Sequence, residues 1–215
     1  MKLCVLENLY GNKTLEESLS ILTSLGVHTV EVGAGGYPGK AHCNPEELLA
    51  DSKKFDEFVA TFKKYDVEIS TFWCGYSGQV YWNFYEGQES LGLVPVATRY
   101  HRLSELMQGA DWAAKIGTPD ITTHVGYMPE NPYDPNYIGT IVALKTLCNK
   151  AKNLGLHFNF ETGQETPATI ARAIEDINLD TFAGKRAAEA RDRSGAFNRC
   201  RELLTVDDKL NQISV

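Results

Sequence analysis

The side chains of this chain best suited to chemistry are Glu161, His124, His42 and Trp73, standing at the end of a strand-like run or in the loop that follows one. Glu161 ends the apolar stretch Leu156-His157-Phe158-Asn159-Phe160, where an acid is otherwise an awkward choice. A carboxylate there could ligate a divalent metal or remove a proton beside a carbonyl. Equally, it could cap the following turn or pair with a base. His124 closes Ile121-Thr122-Thr123, and a neutral imidazole at that point would hydrogen-bond a sugar hydroxyl or a carbonyl, or sit satisfied at the rim. His42 follows the glycine-rich run Gly33 to Gly39; a histidine on a loop is often merely solvated. Trp73 opens an aromatic loop carrying Tyr76, Tyr81, Trp82, Phe84 and Tyr85. Those rings would wall a pocket by stacking on sugar C–H faces, or pack the loop down. A loop this long in a compact domain is usually functional, which favours the pocket wall. His157 reads as structural, His28 and His101 as solvated. No Ser-His-Asp or Cys-His nucleophile arrangement is legible.

These residues need a scaffold, and the chain order supplies one. Strands are expected over Lys2–Leu6, Thr29–Val32, Val67–Trp73, Asp120–His124 and Leu156–Phe160. Helical patterns lie between them. Thr14 and Glu17 form a capping box ahead of Leu15, Leu19, Leu22 and Leu25, and Gly26 stops that helix. Asn44 caps a helix opened by Pro45, and Phe55, Phe58 and Phe62 share one face of a helix from about Ser52 to Tyr65. Further helices are expected over Pro95–Ile116, Tyr137–Leu154 and from Pro167 onward. Strict β-then-α order implies a parallel sheet with helical crossovers, either doubly wound or a (β/α) barrel. The nucleotide templates fail. Pro38 stands where GxGxxG needs its third glycine, and Ala34 and Ala41 break the phosphate-loop pattern around Gly39-Lys40. Candidate residues gathered after the strands suit a barrel with its site at the C-terminal face.

Composition narrows the classes further. A chain of 215 residues with 43% hydrophobic and 23% charged residues is globular, and 28 acids against 21 bases leave −7. That charge argues against a nucleic-acid partner. Cysteines 4, 43, 74, 148 and 200 are scattered without zinc or redox spacing, which reads as reduced thiols in a cytoplasmic protein. Glu7 and Asn8 come too early for a signal peptide, and no apolar run suits a membrane helix.

At Gly33-Ala34-Gly35-Gly36-Tyr37-Pro38-Gly39-Lys40-Ala41-His42-Cys43, Thr123-His124-Val125-Gly126 and Phe160-Glu161-Thr162-Gly163-Gln164-Glu165-Thr166-Pro167, the chain resembles the sugar phosphate isomerase/epimerase family. Its members have the xylose isomerase-like TIM barrel, and the resemblance runs from Met1 to about Gly184. It implies interconversion of ketoses, or of aldose–ketose pairs, free or phosphorylated, with a divalent metal: manganese, magnesium, cobalt or zinc. Glu161 matches the family's strand-five glutamate, a metal ligand and acid/base group. His124 matches the rim histidine of strand four on the substrate side, and His42 the histidine after strand two. The family's remaining ligands, an acid on strand six, a histidine on strand seven and a glutamate on strand eight, find no convincing counterpart. Asp180 is tempting as the first of these, but falls too soon after the helix at Pro167 and suits the preceding connection better.

Beyond Gly184 the character of the chain changes. Five of eight arginines lie between Arg186 and Arg201, and no Leu, Ile or Val occurs between Leu179 and Leu203, so no buried parallel strand is available. Five βα units end near Ile177, whereas a complete barrel needs about 250 residues. The expectation is therefore a partial barrel of five to six parallel strands over 1–184, followed by an irregular or helical Arg-rich tail over 185–215. Two hypotheses account for the break: foreign sequence from a shifted frame or truncated gene, or a native tail on a partial barrel completed by another chain, such as a second copy. On the first view the activity of this chain is doubtful. A non-catalytic barrel binding a sugar or a partner chain is the alternative function.

Overall fold

The alternation of apolar runs and amphipathic stretches is realised as β1 (Val5–Leu6), α1 (Leu15–Ser24), β2 (Thr29–Ala34), α2 (Pro45–Ala50), α3 (Ser52–Lys64), β3 (Glu68–Cys74), α4 (Val96–Ile116), β4 (Asp120–His124), α5 (Pro135–Asn153), β5 (His157–Glu161) and α6 (Pro167–Ile177). The structure, a computed structural model, describes residues 3–8, 12–34, 41–76, 90–161 and 165–177. The glycine-rich stretch 35–40, the aromatic loop past Tyr76, Asp180 and the Arg-rich tail lie outside the described residues. Local signals behave as expected. Glu17 N–H donates to Thr14 Oγ1 while the Glu17 carboxylate accepts from Thr14 N–H at 2.8 Å, the reciprocal capping box. Asn44 caps α2 ahead of Pro45, and Gly26 ends α1 at φ 77°, a left-handed conformation that costs glycine little. Within the expected Lys2–Leu6, the described part of the first strand is Val5–Leu6: Leu3 and Cys4 stand ahead of it, and Lys2 lies outside the described residues. Among the described residues the strand pairs with β2 alone, so half of its ladder groups gain nothing from an extended conformation.

All five strands are parallel, and their spatial order is their chain order, β1-β2-β3-β4-β5. This decides between the two architectures. A doubly wound sheet reverses direction at a switch point, sending helices to both faces. A monotonic order with right-handed crossovers sends every helix to one face and leaves the other as the inner wall of a barrel. The packing agrees: Val30, Val32, Phe72, Ile121 and Phe158 are 0–2% exposed within one core that also holds Leu19, Leu22, Trp112, Leu144 and Leu147 from the helices. Trp112 of α4 is the hub, with Phe72 at 4.5 Å and Phe58 of α3 at 5.9 Å between ring centroids.

The opposite face carries the polar set by alternation along each strand. A bulge in β3 keeps that set aligned. Val30 pairs with Ile69 but Glu31 with Thr71, so Ser70 is skipped in the register and its hydroxyl donates to the Val30 carbonyl at 3.2 Å. Thr71 and Trp73 thereby share the inner face with Glu31 and Gly33, followed by Asp120, Thr122 and His124 on β4 and His157, Asn159 and Glu161 on β5. Among the described residues no helix is long and apolar enough to cross a membrane.

The chain returning to α4 rests directly on the backbone beyond β4. Leu93 N–H donates to the Val125 carbonyl at 2.7 Å. A Cβ on Gly126, whose φ is 105°, would stand 2.2 Å from the Leu91 carbonyl oxygen. Buried Arg102 holds the segment by donating to the Gly92 carbonyl at 2.7 Å and the Ser90 carbonyl at 3.3 Å. Gly126→Ala is therefore expected to lose about 2–5 kcal/mol, combining backbone strain with overpacking. Gly26→Ala, with nothing within 4 Å, is expected to lose only about 1 kcal/mol from backbone strain. Urea unfolding of both variants checks this; equal losses would show that the close approach at Gly126 carries no cost of its own.

Candidate functional site

Register places the candidates. His124 and Glu161 are paired residues at the ends of β4 and β5, and Trp73 lies two residues beyond Thr71 on the same face of β3. Trp73 reaches across the face: its Nε1–H donates to Glu161 Oε2 at 2.6 Å. Two residues 88 positions apart, both singled out by sequence, are thus in direct contact. A charge-assisted bond of that length orients the carboxylate.

His124 is nearly buried, and Gly126 N–H donates to its Nδ1 at 3.2 Å. An accepting Nδ1 carries no proton, so the ring proton sits on Nε2. Burial lowers the His124 pKa, and the Glu161 charge opposes this only in part. The imidazole is therefore neutral at physiological pH and acts as an Nε2–H donor, the form suited to a sugar or carbonyl oxygen. Its backbone is pinned as well. The Tyr76 hydroxyl donates to the His124 carbonyl at 3.1 Å, and Thr123 Oγ1 bonds the neighbouring Cys74 carbonyl.

A second carboxyl on the same inner face, that of Glu31, feels the Glu161 charge. Burial pushes the Glu31 pKa up to about 7, with a further contribution from the Glu161 charge. Glu31 was missed by sequence reasoning, although the signal was present: Thr29-Val30-Glu31-Val32 sets an acid inside an apolar strand, the anomaly that flagged Glu161. A carboxyl near half-protonation beside an exposed carboxylate gives the site one group able to give a proton and another able to take one.

His42 lies in a different arrangement. Its Nδ1 stands 2.6 Å from Oε2 of fully buried Glu7, and its Nε2 2.7 Å from the Lys13 carbonyl oxygen. Both ring nitrogens are engaged, so the pair ties the end of β1 to the segment ahead of α2 and to the approach to α1. The partnership with Glu7 was not legible, because the two residues are 35 positions apart. The remaining histidines are peripheral: His157 Nδ1 lies 3.3 Å from Asp120 Oδ1, His28 Nδ1 2.9 Å from the Asp66 carbonyl, and His101 is exposed beside Glu105.

Among the described residues no three His, Cys, Asp or Glu side chains gather into a group able to hold a metal ion. Glu161 is the one ligand that the resemblance assigns to this region, and a lone carboxylate holds a divalent ion weakly. These residues do not by themselves fit a closed metal centre.

No protein-family model matches the chain. Among curated proteins it is 31% identical over 74 residues to the uncharacterized protein YfiH of Bacillus subtilis (strain 168), an overlap of 34% of this chain and 24% of that protein. A xylose isomerase domain protein from Planctomyces limnophilus superposes with a TM-score of 0.66 at 26% identity, over 84% of this chain and 60% of its own. A xylose isomerase-like TIM barrel protein from Mycobacterium smegmatis, solved in complex with magnesium, gives 0.62 at 13% identity, over 84% and 62%. A D-psicose 3-epimerase solved in the presence of D-fructose gives 0.55 at 12% identity, over 85% and 62%. The chain has the α/β fold of these barrels, with five parallel strands in one sheet, and spans less than two thirds of each solved structure.

The Glu7–His42 pair generates a pH prediction. The Lys13 carbonyl can only accept, so the ring nitrogen facing it donates; the nitrogen facing Glu7 then donates too when the ring is an imidazolium. The bond to Glu7 accordingly raises the His42 pKa above its ordinary 6.5. A raised histidine pKa stabilises the fold fully below about pH 6.5, and that contribution is lost as pH rises through the folded value. Melting temperature should fall between about pH 6 and pH 9 in the parent chain, and fall less in His42→Gln. Parallel profiles in the two proteins would show that the ring is neutral throughout.

Proposed function

We propose that the chain belongs to a lineage of sugar or sugar-phosphate isomerases and epimerases, acting by proton abstraction beside a carbonyl. One observation carries this: Glu161, oriented by the Trp73 indole at 2.6 Å, stands in register with a neutral His124 at the C-terminal end of a barrel-type sheet. Glu161 takes the proton from the carbon next to the carbonyl. His124 Nε2–H donates to the substrate oxygen on which charge develops, and Trp73 offers its ring as a floor for the C–H face of the sugar. Glu31, carrying a proton for much of the time near neutrality, is placed to return one. The likeness to a D-psicose 3-epimerase solved with D-fructose supports a small sugar as ligand, and the magnesium of the Mycobacterium smegmatis barrel supports a divalent ion. A bound metal would polarise the carbonyl, with Glu161 as one ligand. The described residues do not complete its shell, so the isolated chain is expected to bind metal weakly and turn over little or no substrate. Thiols free at Cys4, Cys43, Cys74 and Cys148 support a reducing, cytoplasmic setting.

A second reading is a non-catalytic barrel that binds a sugar or a partner chain. It is favoured by the sheet itself, since β1 and β5 each pair on one side only among the described residues.

Titration with free and phosphorylated ketoses, with and without manganese, separates these readings. The proposal expects saturable binding, weakened by about tenfold or more in Trp73→Ala, a loss of about 1.4 kcal/mol. Absence of binding by any ketose would sink it. Metal-dependent epimerisation that disappears in Glu161→Gln would establish catalysis outright and overturn the expectation of inactivity, whereas binding without turnover or metal would favour the second reading.

A further inference from the structure

Arg102 belongs to no sequence motif, yet α4 buries it to 7% exposure, an unusual place for a guanidinium. Its Nη1 donates to the Gly92 carbonyl at 2.7 Å and to the Ser90 carbonyl at 3.3 Å, and its planar head lies 5.5 Å from the centre of the Tyr76 ring. Donors set in one plane and a flat face for stacking are what distinguish arginine from lysine, and this position uses both.

Two paths lead from that guanidinium to His124, each of them through described residues. Gly92, at φ 60°, lies so near the chain beyond β4 that a Cβ on it would stand 2.2 Å from the Val125 carbonyl oxygen and 2.3 Å from Gly126 N. Gly126 N–H is the group that donates to His124 Nδ1. By the second path, the hydroxyl of the Tyr76 ring that the guanidinium covers donates to the His124 carbonyl at 3.1 Å and meets Thr123 Oγ1 at 3.3 Å. Arg102 is thus the common origin of two restraints, one on the imidazole and one on the backbone that carries it. Which ring nitrogen of a neutral histidine holds the proton is set by the bond that the other nitrogen makes. With Gly126 N–H aimed at Nδ1, a proton on Nδ1 would set donor against donor, and the ring keeps its proton on Nε2.

We propose that Arg102 is a positioning residue for the site: by pressing the turn at Gly92 onto Gly126 and holding the Tyr76 ring, it fixes His124 in the tautomer that donates from Nε2. This rests on the reading of that donor as the group that meets the substrate oxygen. Phe62 of α3 supplies the structural control. It is 3% exposed, its ring lies 5.1 Å from that of Phe58, and it belongs to neither path.

The test is a long-range proton–nitrogen correlation spectrum of the full chain carrying 15N-labelled histidine, with His124 assigned through His124→Gln. It is recorded at about pH 8, where an unperturbed ring is neutral. The parent is expected to show His124 with an accepting Nδ1 and a protonated Nε2. Arg102→Met, which keeps an apolar stem and removes the donors, is expected to draw the two nitrogen signals together as the other tautomer is populated. Arg102→Lys, able to donate to one carbonyl, is expected to draw them together less, and Phe62→Leu to lower the melting temperature while leaving them in place. Should Arg102→Met fail to fold, Arg102→Lys takes its place under the same criterion. A parent ring protonated on Nδ1, signals unmoved in the folded Arg102 variant, or signals moved equally by Phe62→Leu would overturn the proposal. Neither result depends on a sugar: a chain that binds no ketose yet shows the convergence would defeat the functional reading and leave the role of Arg102 standing.

Discussion

The register between β4 and β5 is the constraint on which the candidate site depends. Pairing His124 with Glu161 sends both side chains to the inner face while Ile121 and Phe158 enter the core. Because side chains alternate along a strand, a slip of one residue would drive the Glu161 carboxylate into the layer occupied by Leu144 and Leu147 and expose Phe160. Burying an unpaired carboxylate costs several kcal/mol, so the hydrophobic core enforces the polar arrangement opposite it. The bulge at Ser70 does the same for β3: by absorbing one residue it keeps Phe72 against Trp112 and leaves Trp73 free to reach Glu161.

The two faces of the sheet are thus one problem in packing. On the helix side, Trp112 joins β3 to α3 and α4, so that the strand carrying Trp73 is immobilised from behind. At the rim, the Gly92–Gly126 approach and the buried Arg102 hold the returning chain against the backbone beyond His124. The Tyr76 hydroxyl adds a bond to the His124 carbonyl itself. The imidazole is thereby denied rotation and most of its water, and that same burial keeps it neutral.

Charge is distributed with similar economy. Glu7 is fully buried but faces an imidazole, and together they join elements far apart in the chain. At Glu31, burial and the nearby Glu161 raise the pKa instead, so the inner face carries less negative charge than its acids suggest. Glu130 lies outside the sheet and spends its charge on a helix terminus instead. Three buried or bridging acids therefore take three different protonation and bonding solutions within one fold.

Sequence by itself determined the element order, the caps at Thr14 and Asn44, the α/β class and the strand-end placement of Glu161, His124 and Trp73. Those features rest on interactions within a few residues, or on periodicity, and both are written along the chain. Tertiary structure alone decided that the sheet runs in monotonic order, that Trp73 bonds Glu161, that His42 is occupied by Glu7 and that Glu31 feels the Glu161 charge. The bond from Trp73 to Glu161 joins residues 88 positions apart, and that from His42 to Glu7 residues 35 apart. No local pattern encodes such a pairing; it exists only once five strands, each with one apolar face, have been laid side by side on the same core.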